Sequence, residues 1–181
     1  MKSFTKPAVF IFLTIAFSYS LFAQSSVTEG VTVTAKLKRG IALSNVGAGS
    51  VDFPEIVLTG SATSQSINPG DAEGVNLAIT AHPNRDVAIS FANATLTNNA
   101  WATPLGATTG SLTFVPSIEH TGTSSSYGGT PVSVSSGNNY TAANVAGNGM
   151  LYLWIGGDIA VAAGQAHGDY TGSLSITVAY P

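Results

Sequence analysis

Apolar and hydroxyl-bearing residues alternate one by one along most of this chain, and that period governs what it can fold into. Val31, Val33, Ala35 and Leu37 alternate with Thr32, Thr34, Lys36 and Lys38; Val75, Leu77 and Ile79 with Asn76, Ala78 and Thr80; Val87, Ile89 and Phe91 with Ala88, Ser90 and Ala92. Leu174, Ile176, Val178 and Tyr180 alternate with Ser173, Ser175, Thr177 and Ala179, and Leu112 with Phe114 marks a further strand. A repeat of two sends successive side chains to opposite faces of an extended strand and is out of step with the 3.6-residue helix. Each segment therefore predicts one apolar face turned inward and one hydroxyl-rich face turned to water.

The run Met150-Leu151-Tyr152-Leu153-Trp154-Ile155 is apolar on both faces and predicts a central strand. Turn chemistry separates the strands at Asn68-Pro69-Gly70-Asp71, His82-Pro83-Asn84, Gly128-Gly129, Ser136-Gly137-Asn138-Asn139, Gly156-Gly157 and Gly164. Glycine, serine, threonine and asparagine recur throughout and disfavour helix interiors. The longest helical candidate is the short stretch 140–146, and 122–139 reads as long surface loops. Short strands, frequent turns and almost no helix predict an all-β antiparallel sandwich.

Lys2 and Lys6, the apolar run 8–17 and the more polar Ser18-Tyr19-Ser20-Leu21-Phe22-Ala23 follow the order of a secretory signal. Its apolar core of about ten residues is short of the roughly 20 that a spanning helix needs. Cleavage after Ala23 is expected, with Ser20 as the alternative because Leu21 is large for its place. Removing 23 of the 181 residues leaves 158, enough for one domain with its own core. The mature chain then holds Lys36, Lys38, Arg39 and Arg85 against nine acids, a net charge of −5. So few cations cannot neutralise a run of phosphates, which argues against nucleic acid as a partner. The chain has no cysteine, so disulfides, zinc-thiolate sites and cysteine nucleophiles are excluded. No later segment is long and apolar enough to span a membrane.

Residue types that carry chemistry are present but not in the spacings that chemistry uses. His82, His120 and His167 fall in no metal-ligating spacing, and no serine sits in a G-x-S-x-G elbow. Asp71 and Glu73 lie in a turn, Asp52 and Glu55 flank Phe53-Pro54 on a strand, and neither pair marks a hydrolytic or calcium site. We expect no enzymatic activity, no metal and no cofactor. Trp101, Tyr127 and Tyr140 fall in or near expected loops, where aromatic rings either stack on sugars or pack down on the sandwich edge. Gly47-Ala48-Gly49 precedes no phosphate-binding helix, and the sequons at Asn93 and Asn139 carry little weight.

The two ends of the mature chain carry the most specific pattern. The last strand contains Gly168, Tyr170, Leu174, Ile176, Val178 and Tyr180, with the tyrosine next to last and Gly168 fourteen positions from the end. This resembles subunits of bacterial chaperone–usher fimbriae. The closer resemblance is to an uncharacterised family of exported bacterial domains, themselves similar to spore coat protein U and the archaic pilins. It rests on the alternating strand 31–37, on Val51-Asp52-Phe53, on the segment 155–161 and on the Gly-x-Tyr-x-Gly strand from Gly168, and it covers most of the mature chain. Two features depart from it: the absence of cysteine, and Val51-Asp52-Phe53-Pro54 where the family often has Leu-x-Phe-Gly.

The resemblance implies an immunoglobulin-like, pilin-like sandwich short of one edge strand. A periplasmic chaperone would fill the gap first, and the N-terminal arm of another subunit, identical or homologous, would replace it. The expected organisation is a signal at 1–23, an arm or first strand at 24–37 and a sandwich at 38–181. Val27, Val31, Val33, Ala35 and Leu37 are the candidate donor-strand residues, and Gly168, Tyr170, Leu174, Ile176, Val178 and Tyr180 the candidate C-terminal edge strand. The alternation fits pairing within the protomer as well as between protomers. The leading expectation is a structural subunit, secreted through the periplasm to the cell surface or beyond and assembling into fimbria-like filaments. The alternative is a monomeric secreted β-sandwich that binds a glycan or protein.

Overall fold

The computed structural model describes Ala35, Leu37 and residues 39–181. The expected signal at 1–23 and the arm positions Val27, Val31 and Val33 lie outside the described residues. The unit from Leu37 to Pro181 is all-β and antiparallel throughout its pairings, with one short helix.

Ten strands follow one another: β1 (Ala42–Asn45), β2 (Thr63–Ile67), β3 (Val75–Ala81), β4 (Arg85–Phe91), β5 (Ala94–Thr97), β6 (Ser111–His120), β7 (Val132–Ser133), β8 (Asn138–Val145), β9 (Asn148–Val161) and β10 (Ile176–Ala179). The helix α1 (Asn99–Leu105) lies between β5 and β6. β9, at 14 residues, organises one sheet. Along one edge it pairs first with β3, Val75 facing Ile155, and then with β2, Ile67 facing Gly157. Along the other it pairs with β8 and then β6, and β6 carries β5 and β7 beyond it. β1 closes the β3 side. The second layer is β10-β4-β8. β8 belongs to both layers: Asn138–Ala142 pairs with β4 and 143–145 with β9, so the sheet turns a corner there and nearly closes.

The alternation delivers the expected core. Ile79, Val87, Ile89, Leu151 and Leu153 are fully buried where the layers face each other. A second cluster forms around Ala94, Leu112, Phe114, Ile159 and Val161. The 82–84 turn is present, and it carries the chain from the first layer (β3) to the second (β4).

Two expectations are corrected. The stretch 140–145 is strand, not helix, because its main chain is taken up by β4 and β9 on either side of the corner. Gly156-Gly157 is not a turn but the middle of β9. The loop joining β2 to β3 crosses closely there, and a Cβ on Gly156 would lie 2.1 Å from the Ile67 carbonyl oxygen. Only glycine admits that approach. The expected terminal strand is regular over Ile176–Ala179, with one isolated bridge from Thr171 to Thr97 before it.

Candidate functional site

β10 has β4 on one edge and, among the described residues, no strand on the other. Beside that open edge the two layers leave a groove of about 1310 Å³. Its floor is the inner face of the first sheet, with Val75 and Leu77 from β3, Ile155 from β9 and Phe114 from β6. Leu174 and Ile176, the inward residues of the terminal segment, form one wall and are only half-buried. Leu77 points inward yet is also half-buried, which is what an uncovered groove does to a core position.

The segment 49–58 borders the groove without forming a strand. Val51, Phe53 and Ile56 turn toward the second cluster, and the Phe53 ring meets Phe114 edge-on with centroids 6.0 Å apart. Val57 is left 74% exposed. The Asp52 N–H donates to the Glu73 carbonyl at 3.1 Å and ties this strap to the turn before β3.

The far end of the groove is built around Asn98, which is fully buried. Its amide nitrogen donates to the carbonyls of Thr108 and His167, and its amide oxygen accepts from the Gly110 N–H at 2.7 Å. The helix after it ends at Gly106 in the left-handed conformation, as helix C-caps do. α1 presents Trp101 to the His167 ring at 5.1 Å. Gly168 has φ +127, and a Cβ there would lie 2.4 Å from the Trp101 ring, so this position of the terminal pattern is glycine for two reasons at once. Tyr170 donates to the Ala166 carbonyl and accepts from Gln165, which fixes the segment entering the wall.

The terminal residues thus divide. Leu174 and Ile176 line the groove, Gly168 and Tyr170 anchor its closed end, and Val178 and Tyr180 pack on the first core cluster. Of the donor-strand residues, Ala35 and Leu37 are described and both are exposed, Leu37 by 82%.

The loop aromatics divide as well. Trp101 packs down and Tyr140 binds the main chain of Ser135, whereas Tyr127 stands over the outer face of the sheet against Trp154. Among the described residues no three histidine or carboxylate groups gather as a metal site. The carboxylates serve local bonds: Asp71 accepts from Asn68, Asp86 from Thr141 and Glu119 from Tyr127. His120 accepts a hydrogen bond from the Gly122 N–H at Nδ1, and burial pushes its pKa below the usual histidine value. No family model matches the chain, and no characterised protein matches it significantly.

Proposed function

We propose that this protein is an exported structural subunit whose groove accepts an extended apolar strand, donated by the 24–37 arm of a second subunit. One observation carries the reading: the apolar groove runs beside a strand edge that has no partner among the described residues. Open edges are normally blunted by charge, proline or cover. The β10 segment Ile-Thr-Val-Ala carries neither charge nor proline, and no strand covers its free edge among the described residues.

The dimensions match. The wall from Gly172 to Ala179 is eight residues, about 27 Å when extended, of which Ile176–Ala179 is regular strand, and alternate side chains recur every ~7 Å. The arm repeats at the same interval through Val31, Val33, Ala35 and Leu37. Burying four or five such side chains contributes on the order of 5–10 kcal/mol before ordering costs. Leu37 favours donation to a neighbour. A groove closed in cis would draw it in two residues from Arg39, yet it is 82% exposed. Such a contact joins different surfaces of successive subunits, so it propagates rather than closes. In this reading the leader directs export, and a periplasmic chaperone holds the groove until assembly.

The test compares the size distribution of 24–181 with that of 38–181. Concentration-dependent polymers from the first and a folded monomer from the second support the reading. A monomeric 24–181 together with an unfolded 38–181 makes the arm an internal strand and ends it.

A further inference from the structure

The outer face of the first sheet, opposite the groove, holds an aromatic corner that the assembly reading does not use. Trp154 and Tyr152 lie two residues apart on β9 and share that face, about 7 Å from each other along the strand. The cross-strand neighbours of Trp154 are Asn76 on β3 and Glu119 on β6. Tyr127 arrives from the long loop after β6, and its ring meets Trp154 at 5.4 Å and 68°.

Both rings are fixed before any ligand comes. A Cβ on Gly70 would lie 2.1 Å from the Tyr127 ring, so the ring rests directly on glycine main chain. The Tyr127 hydroxyl donates to Glu119, and the indole N–H donates to the Thr121 hydroxyl at 2.9 Å. Tyr127 is 38% exposed and Trp154 is not fully covered. Pre-set rings of this kind lose little freedom on binding.

The polar groups around the corner are mainly acceptors. Glu119 bonds the Tyr127 hydroxyl, and Asp71 follows Gly70, on whose main chain the Tyr127 ring rests. Asn76, beside Trp154, is 7% exposed and its side-chain oxygen is buried beneath this face, out of a ligand's reach. The described cations are elsewhere: Arg85 is on the second layer, and Arg39 donates to the Gly147 carbonyl.

We propose that Trp154, Tyr127 and Tyr152 form a platform for a neutral gluco-configured pyranose of an oligosaccharide, with Glu119 and Asp71 accepting from its hydroxyls. A pyranose with equatorial substituents presents flat C–H faces that suit aromatic rings, and its hydroxyls supply the donors that this acceptor-rich rim lacks. An anionic sugar would meet two carboxylates without a countercharge. The platform and the groove lie on opposite faces of the sheet, so this inference does not rest on the assembly reading.

The test titrates the mature chain 24–181 with cellopentaose and maltopentaose, and with a pentagalacturonate as the anionic control, by calorimetry and amide NMR. Expected are saturable binding of at least one neutral pentamer with Kd on the order of 1 mM, and none for the control. Tyr127→Ala weakens binding about tenfold, Glu119→Gln weakens it severalfold, and Tyr127→Phe retains most of it. The Tyr127 and Glu119 variants leave the core untouched, so the test does not depend on how a Trp154 variant folds. Failure of both neutral pentamers to saturate, equal binding of the pentagalacturonate, or unchanged binding by Tyr127→Ala overturns the proposal.

Discussion

The Tyr180 hydroxyl donates to the Arg39 carbonyl at 2.6 Å, joining two residues 141 positions apart. The same oxygen accepts from the His82 N–H at 2.7 Å, so one side chain ties the end of β10 to the chain's entry into the sandwich and to the β3–β4 turn. Arg39, two residues beyond the proposed arm, is therefore held next to the end of β10. Tyr180→Phe keeps the ring but strips both bonds and leaves a part-buried N–H unpaired. The expected loss is about 1–3 kcal/mol by denaturant unfolding. Unchanged stability would show that the latch contributes nothing.

Asn98 closes the other end of the groove through three hydrogen bonds to main chain that is far apart in sequence. Asn98→Ala leaves three part-buried main-chain groups without this partner and opens a void. We expect a cost of about 3–5 kcal/mol, with a fall in melting temperature. A cost under about 1 kcal/mol would mean that water replaces the amide freely.

Gly156→Ala drives a methyl into the Ile67 carbonyl and cannot be relieved by a rotamer. It should cost more than about 4 kcal/mol or yield no folded protein. Gly128 has open space around it and no positive φ, so Gly128→Ala should stay within about 0.5 kcal/mol of the parent. Circular dichroism melts of the two variants make the comparison.

The hydrogen bond to Glu119, with smaller contributions from burial and from the Glu119 and Asp71 charges, pushes the Tyr127 phenol up to about 12 from 10.0. The folded value lies above the unfolded one, so the stability from this pair is fully present below pH 10 and is lost as pH rises toward 12. A phenolate absorbance titration should show Tyr127 ionising late, and Glu119→Gln should bring it back toward 10. A titration that Glu119→Gln leaves unchanged would place the cause elsewhere.

The strands legible in the sequence are those whose alternation marks an inward face, such as 75–79 and 87–91, although Asn76 and Ala78 on the other face of the first are buried as well. Tyr140-Thr141-Ala142-Ala143 suits a short helix on local grounds, and only pairing with β4 and β9 makes it strand. Gly156-Gly157 has turn chemistry, but Gly156 answers the Ile67 carbonyl at the end of β2 and Gly157 the Val115 carbonyl and Phe114 ring of β6, contacts with no local signature. Asn99–Leu105 has no apolar periodicity and contains Pro104; its helix rests on burying Ala102 and on the Gly106 cap. The groove wall was legible in Leu174 and Ile176, because alternation marks the face that must be covered. The strap around Phe53 and the latch at Asn98 were not, because they depend on what tertiary structure brings across the sandwich.

The most direct test of the central claim adds a synthetic 24–37 peptide to the 38–181 domain and follows amide hydrogen exchange along 173–179. An extended apolar strand entering the groove must hydrogen-bond the main chain that faces away from β4. The account predicts that those amides exchange quickly in the domain alone, become strongly protected when the peptide binds, and stay fast when the peptide carries Val31→Asp and Val33→Asp. Amides already protected in the domain alone, or indifferent to the peptide, would contradict it.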